Sequence, residues 1–391
     1  MPHYEAIIGL PDYKLISVRE YAGILYSVTY VGPRLCPHCK SQNLRKKDTF
    51  LRKIQHQSRG IDRTFLVLKC HKFHCRSCGR YFNDRLPGIR PRFQSTEPFR
   101  DEIAIKHHQG IARAISAKYS GVSSSTVERC YKAYLAQKER HRANAFCPKV
   151  LGIDEKHFTK KKGYMTTFCD LRRRKVFDVT MGRSEASLRG YLKKMSGRQN
   201  CRVLVMDLSE TFRCVGRKHF PNAMIVADRF HVVKLINHHF LKTWSELDEV
   251  GRKSRGLSSL IRRHPENLKP EQVPKLQRYL DENPAVKALY EFKQYLMRTV
   301  KARVYSKSEA RKLIPDFLNC IALLKESKFK FMKVLGDTLE SWQEEIVRMW
   351  RFSKTNSITE GLHNRMEEII RRAYGFRNFE NFRLRVKHYC S

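Results

Sequence analysis

The spacing of apolar and polar residues divides the chain into β-rich, helical and mixed stretches. Residues 24–31 and 65–70 are short runs rich in β-branched and aromatic side chains, which favour strands. Between 98 and 137 the apolar positions follow helical spacing and predict three helices. Residues 148–235 alternate short apolar runs with helical patterns, which is typical of an α/β fold.

The mixed stretch has a definite order of elements. Apolar runs predict strands at 150–153, 163–170, 175–180, 203–206 and 223–227, and helical patterns cover 187–195 and 228–240. Three meandering strands followed by helix, strand, helix and strand form the order of an RNase H-like core. That order requires a helix between the last two strands, where residues 209–218 have only a poor helical pattern.

The C-terminal part of the chain has a helical pattern. Residues 241–345 are strongly charged and carry several prolines, which predict an all-helical insertion cut into segments. Residues 346–391 return to the core, with a capped helix start at 353–360 and a stop at Gly375. We therefore expect an α/β RNase H-like core with a mixed sheet and a large helical insertion.

Four cysteines form two CxxC pairs near the N-terminus, Cys36-Pro-His-Cys39 and Cys75-Arg-Ser-Cys78. Each pair puts two thiolates on one tight turn, and two such turns make a closed tetrahedral site that suits structural Zn²⁺. The long separation favours a zinc ribbon built on a β-hairpin. A thioredoxin-type dithiol would need a βαβ context that is absent here. Other potential ligands nearby are Cys70, His71 and His74.

The three helices predicted after the cysteines have the plan of a helix-turn-helix. A Gly-containing turn at 120–124 separates the second helix from the third, which Ser124 or Ser125 can cap. In such a motif the N-terminal residues of the last helix reach base edges in the major groove. The predicted contacts are Ser123, Ser124, Thr126 and Arg129. An ordinary helical hairpin is the alternative.

Three acids far apart in sequence stand where an active site can form. Asp154 and Asp207 each end an apolar strand pattern, and Glu360 lies on the late amphipathic helix. Carboxylates that meet can hold two divalent cations, and Mg²⁺ prefers such oxygen ligands. Asp228 and His231 lie three apart on a helix and either bind metal or position a nucleotide, or Asp228 is a helix cap.

The charge of the chain indicates its partner. The chain has 78 Lys and Arg against 38 Asp and Glu, a net charge of +40, which favours binding to a polyanion such as DNA. No apolar run approaches the ~20 residues needed to span a bilayer. The first residues lack a signal-peptide pattern, so we expect a cytoplasmic protein with cysteines present as thiols or metal ligands.

The order of these motifs resembles the ISL3 family of bacterial insertion-sequence transposases over nearly the whole chain. The motifs that carry the resemblance are the two CxxC pairs, Gly152-Ile-Asp-Glu155, Val205-Met-Asp207, Ala227-Asp-Arg-Phe-His-Val-Val-Lys234, Thr359-Glu-Gly-Leu-His-Asn364 and Arg371-Arg-Ala-Tyr-Gly-Phe-Arg-Asn-Phe. The resemblance implies a DDE transposase with the catalytic triad Asp154, Asp207 and Glu360. It also makes Asp228 and His231 resemble a signature that follows the second aspartate in several DDE families.

The resemblance implies how such an enzyme would act. It would bind terminal inverted repeats, cut phosphodiesters with Mg²⁺ or Mn²⁺, and join the freed end to target DNA. It would act in the cytoplasm at the bacterial nucleoid, as a homodimer or higher oligomer. Relatives often carry a basic residue where this chain has Glu367, and Arg371 lies on the same helix face. We include Arg371 and Arg372 among the expected DNA contacts. The alternatives are a non-catalytic DNA-binding regulator and a nuclease for RNA–DNA hybrids.

These expectations give five predicted segments. They are a β and zinc-ribbon domain at 1–88, a helix-turn-helix domain at 89–145, a first core part at 146–240, a helical insertion at 241–345 and a second core part with the Glu360 helix at 346–391.

Overall fold

The computed structural model describes residues 8–20, 23–140, 146–159, 162–304, 306–352 and 357–390. The contacts within the chain define two compact units, one formed by Met1–Ala143 with Ile369–Gly375 and the other by Asn144–Glu368 with Phe376–Ser391. The predicted helix cap at 353–356 and the predicted domain boundary at 145 fall outside the described residues. Each unit has its own sheet and core.

The first unit contains a five-stranded sheet. Its strands are β1 Tyr13–Glu20, β2 Ile24–Tyr30, β3 Leu44–Arg59, β4 Asp62–Cys75 and β5 Tyr81–Asn83. The strand order is β1-β2-β4-β3, with β5 paired to β4. The β2–β4 pair is parallel and the other pairs are antiparallel, so β1 and β2 form a hairpin.

Alternating burial explains why most of these strands were readable from the sequence. In β2 every second side chain is buried, and Tyr26 and Val28 pack with Leu66 and Leu68 of β4. Strand β3 has 16 residues but only Ile54 and His56 are buried. Because most of its other positions are charged or polar, the apolar pattern did not predict it.

Three helices complete the first unit, as predicted. They are α1 Glu97–His108, α2 Arg113–Ser120 and α3 Ser124–Arg140. Helix α2 ends at Gly121, whose φ of 65° is a left-handed conformation that glycine adopts without strain. The cap of α3 is Ser123 rather than Ser124 or Ser125, because the Ser123 hydroxyl accepts a hydrogen bond from the Thr126 amide at 3.1 Å.

The second unit is built on another five-stranded sheet. Its strands are β6 Val150–Thr159, β7 Gly163–Asp170, β8 Lys175–Met181, β9 Val203–Met206 and β10 Met224–Ala227. The order is β10-β9-β6-β7-β8, in which β6, β9 and β10 are mutually parallel and β7 and β8 run antiparallel. All five strands predicted in this stretch are therefore confirmed in their order along the chain. In the mixed sheet β9 lies directly beside β6.

Two helices connect these strands, α4 Glu185–Lys194 and α5 Glu210–His219. Leu188 and Leu192 of α4 and Phe212 and Val215 of α5 belong to the hydrophobic core of the sheet. Helix α5 therefore exists despite its poor sequence pattern. The Ser209 side chain caps it by accepting from the Phe212 amide, and tertiary burial stabilises it.

A long helical stretch follows β10. Its helices are α6 Arg229–Leu247, α7 Glu249–Lys253, α8 Arg255–Arg262, α9 Val273–Glu282, α10 Pro284–Lys301, α11 Lys307–Glu326, α12 Lys330–Ser341 and α13 Gln343–Met349. Helix α6 continues through the predicted boundary at 240, and its Trp244 lies in the core with Leu260 and Leu280. The prediction that the prolines of residues 241–345 cut the helical stretch into segments was wrong for Pro315, which lies within α11.

The last two helices are α14 Ser357–Arg372 and α15 Phe379–Tyr389. Helix α15 is tied to β8 by Arg383, which donates to both carboxylate oxygens of Asp178 at 2.7 and 2.6 Å. Such a two-point ion pair fixes orientation as well as distance. Among the described residues, no helix is both long and apolar enough to cross a membrane.

Candidate functional site

Two aspartates meet at one edge of the second sheet. Strands β6 and β9 are parallel, and Ile153 is paired with Met206. Asp154 and Asp207 each follow one of these partners, so the parallel register brings the two carboxyls side by side. Asp154 is buried within β6, and Asp207 stands just beyond the end of β9.

The surroundings of the two carboxyls disfavour their charged forms. Burial is the main cause that raises the pKa of Asp154 to about 7, and the Asp228 carboxylate adds to the rise. Burial likewise raises the pKa of Asp207 to about 8, with Asp154 and Asp228 adding repulsion. A divalent cation between them would remove this repulsion.

His231 completes a cluster of three ligand-type side chains. Its Nε2 is 3.1 Å from Oδ1 of Asp207 and 3.7 Å from Oδ2 of Asp228. The ligand atoms of Asp154, Asp207 and His231 all lie within 4.8 Å of one another. Burial is the main cause that lowers the pKa of His231, which leaves a neutral imidazole able to bind a metal.

Of the alternatives for Asp228, the structure shows the helix cap. It is fully buried and caps α6 by accepting from the Phe230 amide at 3.4 Å. Its other oxygen faces His231 across 3.7 Å. Asp228 therefore stabilises the start of the helix that carries His231, and it also contributes negative charge to the cluster.

A buried oxygen in this cluster gives a test of whether a cation fits. Oδ1 of Asp207 is buried, and although Nε2 of His231 is 3.1 Å away, this contact lacks hydrogen-bond geometry and no other described residue donates to the oxygen. A buried acceptor without a donor is costly, and a bound cation is one way to satisfy it. The donor set of carboxylates and one imidazole suits Mg²⁺ or Mn²⁺.

Helix α14 lies against the same edge of the sheet. Nδ1 of His363 is 3.6 Å from Oδ2 of Asp154, and its Nε2 is 3.1 Å from Oγ1 of Thr167, which is paired with Asp154 across β6 and β7. Glu360 is exposed in the first turn of α14, one turn before His363, and its charge acts against the lowering of the His231 pKa.

Sequence reasoning gave no role to Lys156 or His363. The Lys156 ammonium donates to the carbonyl of His363 at 3.1 Å and to Oε1 of Glu367 at 2.7 Å. Lys156 lies two residues after Asp154, on the same face of β6. Relatives are expected to carry a basic residue on the helix at the position of Glu367. In this chain the positive charge at that place comes from Lys156 on the strand. The available signal was this two-residue spacing.

His363 is neutral where it sits. Burial is the main cause that lowers its pKa to about 4, and the Lys156 charge lowers it further. A neutral ring can place one nitrogen toward Asp154 and the other toward Thr167. The carboxylate of Glu155, the residue after Asp154, is 3.4 Å from the guanidinium of Arg183.

The four predicted zinc ligands are close together in the first unit. The Sγ atoms of Cys36 and Cys78 are 3.6 Å apart, and those of Cys39 and Cys75 are 3.5 Å apart. Four thiolates about 2.3 Å from a tetrahedral zinc would be about 3.8 Å from one another. The cluster therefore has the size of a four-cysteine site.

The two cysteine turns have matching backbones. The amide of Lys40 donates to the carbonyl of Cys36, and that of Gly79 donates to the carbonyl of Cys75, both at 2.9 Å. Lys40 and Gly79 are both left-handed, with φ of 62° and 70°. Burial raises the pKa of Cys36, but hydrogen bonds from the amides that follow it outweigh this and lower the pKa to about 6.

The other potential ligands near the cysteines have different contacts. Cys70 is buried in the core of the first sheet. His71 lies 3.0 Å from the hydroxyl of Thr49, and the ring of His74 is packed 4.6 Å from that of Tyr81. These three residues are outside the four-cysteine cluster.

The side chains predicted to contact DNA are exposed or half-buried in the first unit. Ser123 and Arg129 are exposed, and Ser124 and Thr126 are half-buried. Arg129 donates to the Thr126 hydroxyl at 3.1 Å, which holds its side chain near the start of α3. In the last turn of α14 there are two exposed arginines, Arg371 and Arg372.

Comparison with known proteins agrees with this arrangement. Residues 151–386 match the model of the DDE-type ISL3 family, which is described as a transposase. This match covers more than half of the chain, and the chain therefore belongs to the ISL3 family of DDE transposases. The transposase for insertion sequence element IS1001 of Bordetella parapertussis is similar to it, with 22% identity over 363 residues that cover 90% of this chain and 88% of the relative.

Proposed function

We propose that this chain is the transposase of a bacterial insertion sequence, which binds the terminal inverted repeats, cleaves a phosphodiester at each end and joins the freed 3′-hydroxyl to target DNA. The observation that carries the proposal is the meeting of Asp154 and Asp207 at the ends of paired parallel segments, with α14 against the same edge. The strand order β10-β9-β6-β7-β8 supports an RNase H-like core.

In this proposal Asp154, Asp207 and Glu360 hold Mg²⁺ or Mn²⁺, with His231 as a further ligand or a positioning group. Bound divalent ions lower the pKa of the attacking water or hydroxyl and stabilise the leaving oxygen. Asp228 holds His231 in place through the start of α6. Lys156 and His363 hold α14 against β6 and β7, and Glu360 lies one turn before His363 on that helix, where its charge acts on His231.

The first unit supplies DNA binding in the proposal. Zn²⁺ held by the four cysteines would fix the ends of β4 and the neighbouring turns as a zinc ribbon. Helix α3 would read bases with Ser123, Ser124, Thr126 and Arg129, while Arg371 and Arg372 would contact phosphates. We retain the five predicted segments as a proposal for the domain organisation, and a homodimer or higher oligomer because two ends must be cut together.

One experiment separates the transposase from a DNA-binding regulator. A labelled duplex with the inverted repeat that flanks the gene is incubated with the full chain in Mg²⁺ or Mn²⁺. We expect cleavage at the repeat end and strand-transfer products, both reduced more than about 100-fold in Glu360→Gln. Glu344→Gln is the matched control, since its side chain is 73% exposed on α13.

The outcome is decided by wild-type activity and binding together. If the wild-type chain binds the repeat but does not cleave it with either metal, the chain is a DNA-binding regulator and the catalytic proposal fails. If Glu360→Gln cleaves as the wild type does, the triad fails although the activity stands.

A further inference from the structure

The sheet of the first unit has one side that packs on the core and one side that faces away from it. Tyr26 of β2 and Leu68 of β4 are buried on the core side. Because successive side chains of a strand alternate between the two sides, their neighbours in sequence point the other way. We call this opposite side the outer face. Leu51 of β3 is paired with Lys69 of β4 on the outer face, and its exposure of 72% shows that the face is open to solvent.

The outer face carries four basic side chains. They are Lys14 and Arg19 on β1, Lys53 on β3 and Lys69 on β4, and all four are exposed. In the part of the chain that the structure describes, none of the four has an ion pair with a carboxylate. Positive charge of this kind attracts an anionic partner.

The acidic residues of these strands lie on the core side. Glu20 is paired with Ile24, which belongs to the hydrophobic core. Asp48 and Asp62 occupy even positions of β3 and β4, as do the residues of those two strands in the same core. The outer face of the described strands therefore has basic residues and no acidic ones.

The remaining side chains of the outer face suit contact with phosphate. Nζ of Lys53 lies 4.4 Å from the centroid of the Phe65 ring, and this cation–π contact holds the ammonium above the sheet. Ser27 and Thr29 of β2 are half-buried on the same face, and Thr49 of β3 is exposed. Lysine and hydroxyl side chains are common partners of phosphate oxygens in DNA complexes.

The outer face continues into the turn between α2 and α3. Nε2 of Gln55, an outer-face residue of β3, donates to the carbonyl of Ser120 at 2.5 Å. The guanidinium of Arg63 donates to the carbonyls of the two residues before Ser120, at 2.9 and 3.1 Å. Ser120 ends α2, and Ser123, the first of the predicted base contacts, follows it by three residues. DNA at the start of α3 would therefore lie next to one end of the outer face.

The extent of the positive charge selects the partner. Four strands about 4.8 Å apart place β1 and β3 about 14 Å from each other, and basic residues lie on both. A single phosphate group would reach one side of this area, whereas a nucleic acid backbone would span it. A second copy of the chain has the same net charge of +40 and would be repelled. The continuity with the start of α3 favours DNA as the polyanion.

We propose that the outer face binds the phosphate backbone of duplex DNA beside the segment that α3 contacts. Lysine acts on phosphate as a point charge, so this contact adds affinity that does not depend on base sequence. Each phosphate contact also steepens the loss of affinity with salt, because it releases counterions from the DNA. The proposal rests on the proposed function for DNA as the partner and for α3 as the neighbouring contact. It does not involve the catalytic residues.

The first test removes two of the charges. Anisotropy measures binding of the full chain, over a series of salt concentrations, to the inverted repeat that flanks the gene and to a scrambled duplex of equal length. Lys53→Gln with Lys69→Gln should reduce the slope of log K against log salt by about 1.8, since each phosphate contact contributes about 0.9. Affinity for both duplexes should fall equally, by roughly tenfold at about 0.1 M salt.

The matched control removes the same charge elsewhere. Lys307 and Lys312 are exposed on α11 in the second unit. Lys307→Gln with Lys312→Gln should leave the affinity and the salt slope as they are in the wild type. This pair separates a local contact from an effect of net charge.

The second test adds a charge, so that loss of folding cannot produce the expected result. Leu51→Lys puts a further ammonium on the outer face and should bind both duplexes several-fold more tightly, with a salt slope steeper by about 0.9. Val250→Lys adds the same charge at an apolar residue that is 83% exposed on α7. It should bind as the wild type does.

Three results would overturn the proposal. One is wild-type affinity and salt slope in the outer-face variants. Another is an equal change in the controls on α11 and α7, because net charge alone would then explain the effect. The third is an effect on the repeat but not on the scrambled duplex, which would indicate base reading. A wild type that binds both duplexes equally would instead refute repeat recognition in the proposed function, and the outer-face variants would still test this inference.

Discussion

The cysteine cluster takes its four thiols from two tight turns, whereas the carboxylate cluster takes its side chains from the middle of one strand, the end of another and a helix. Cys36 and Cys39 share one turn, and Cys75 and Cys78 share the other. Asp154, Asp207 and His231 come from β6, the end of β9 and α6. The first cluster contains four side chains of one kind, and the second contains two carboxylates and one imidazole.

The pKa values of the two clusters are shifted in different directions and for different reasons. Amides within the cysteine turns lower the pKa of Cys36 and of Cys75, despite the opposing effect of burial. A hydrogen bond from the Ser41 amide acts to lower the pKa of Cys39, but burial and the neighbouring thiols outweigh it and raise this pKa to about 12. At the sheet edge burial and mutual repulsion raise the pKa of Asp154 and of Asp207. The turns thus favour the thiolate form of two of the four cysteines through their own backbone, while burial disfavours the charged forms of both carboxyls at the sheet edge.

The largest expected effect breaks the carboxylate cluster. Asp207→Asn should reduce cleavage and strand transfer by more than about 1000-fold, because an amide is a poor ligand for a divalent cation. Binding to the repeat should be unchanged, as measured by gel shift. The control is Glu210→Gln, whose side chain is 70% exposed on α5. Cleavage by Asp207→Asn at the wild-type rate would refute the proposal that Asp207 holds a catalytic cation.

The next effect concerns the cysteine cluster. The purified chain should contain about one zinc, as a single closed site requires, and Cys36→Ser with Cys75→Ser should remove it. Loss of the metal should also lower the melting temperature of the chain, because metal binding stabilises the folded state. Metal content is measured by mass spectrometry, with Cys214→Ser as the control because Cys214 is exposed outside the cluster. Unchanged zinc in the double variant would refute a four-cysteine site.

The smallest effect is a pH dependence of stability in EDTA. The pKa values of Asp154 and Asp207 are raised to about 7 and about 8, whereas both titrate near pH 4 in an unfolded chain. The folded chain therefore binds more protons than the unfolded chain up to these values, and stability falls as pH rises through them. Above about pH 6.5 the ordinary histidine is largely neutral, so His231 and His363 add little.

Calorimetry between about pH 6.5 and 8.5 measures this loss. We expect the melting temperature in EDTA to decrease over this range and Mg²⁺ to reverse the decrease. Asp154→Asn with Asp207→Asn should show neither behaviour. If the melting temperature of the wild type changes with pH in parallel with that of the double variant, burial and mutual repulsion do not raise the pKa values of the two carboxyls.

Elements with a local signal were predictable. The strands that surround Asp154 and Asp207 have short apolar runs, and the cysteine turns are visible as spacing alone. Strand β3 and helix α5 were not readable with the same ease, because charged positions dominate the first and tertiary burial of Phe212 and Val215 stabilises the second. Pro315 did not end α11, which continues to Glu326.

The contacts around α14 show the limit of sequence reasoning in the candidate site. The Thr359–Asn364 motif contains His363, but spacing along one helix carries no information on which strand the ring meets. Lys156 is 211 residues from Glu367, with which it pairs. Such a pair becomes visible only when the helix is packed on β6.

By itself the sequence determined the cysteine turns, the alternation of strands and helices, and the end of β9 before Asp207, because these depend on neighbouring residues. The prediction that Asp154 ends its strand was wrong, since β6 continues to Thr159. The tertiary structure decided which acids meet, since the parallel register of β6 and β9 brings Asp154 beside Asp207. It also decided that Lys156 supplies the charge beside Glu367, and that Lys53 and Lys69 lie together on the outer face of the first sheet. Those features depend on burial and on contacts between distant segments, which no local pattern encodes.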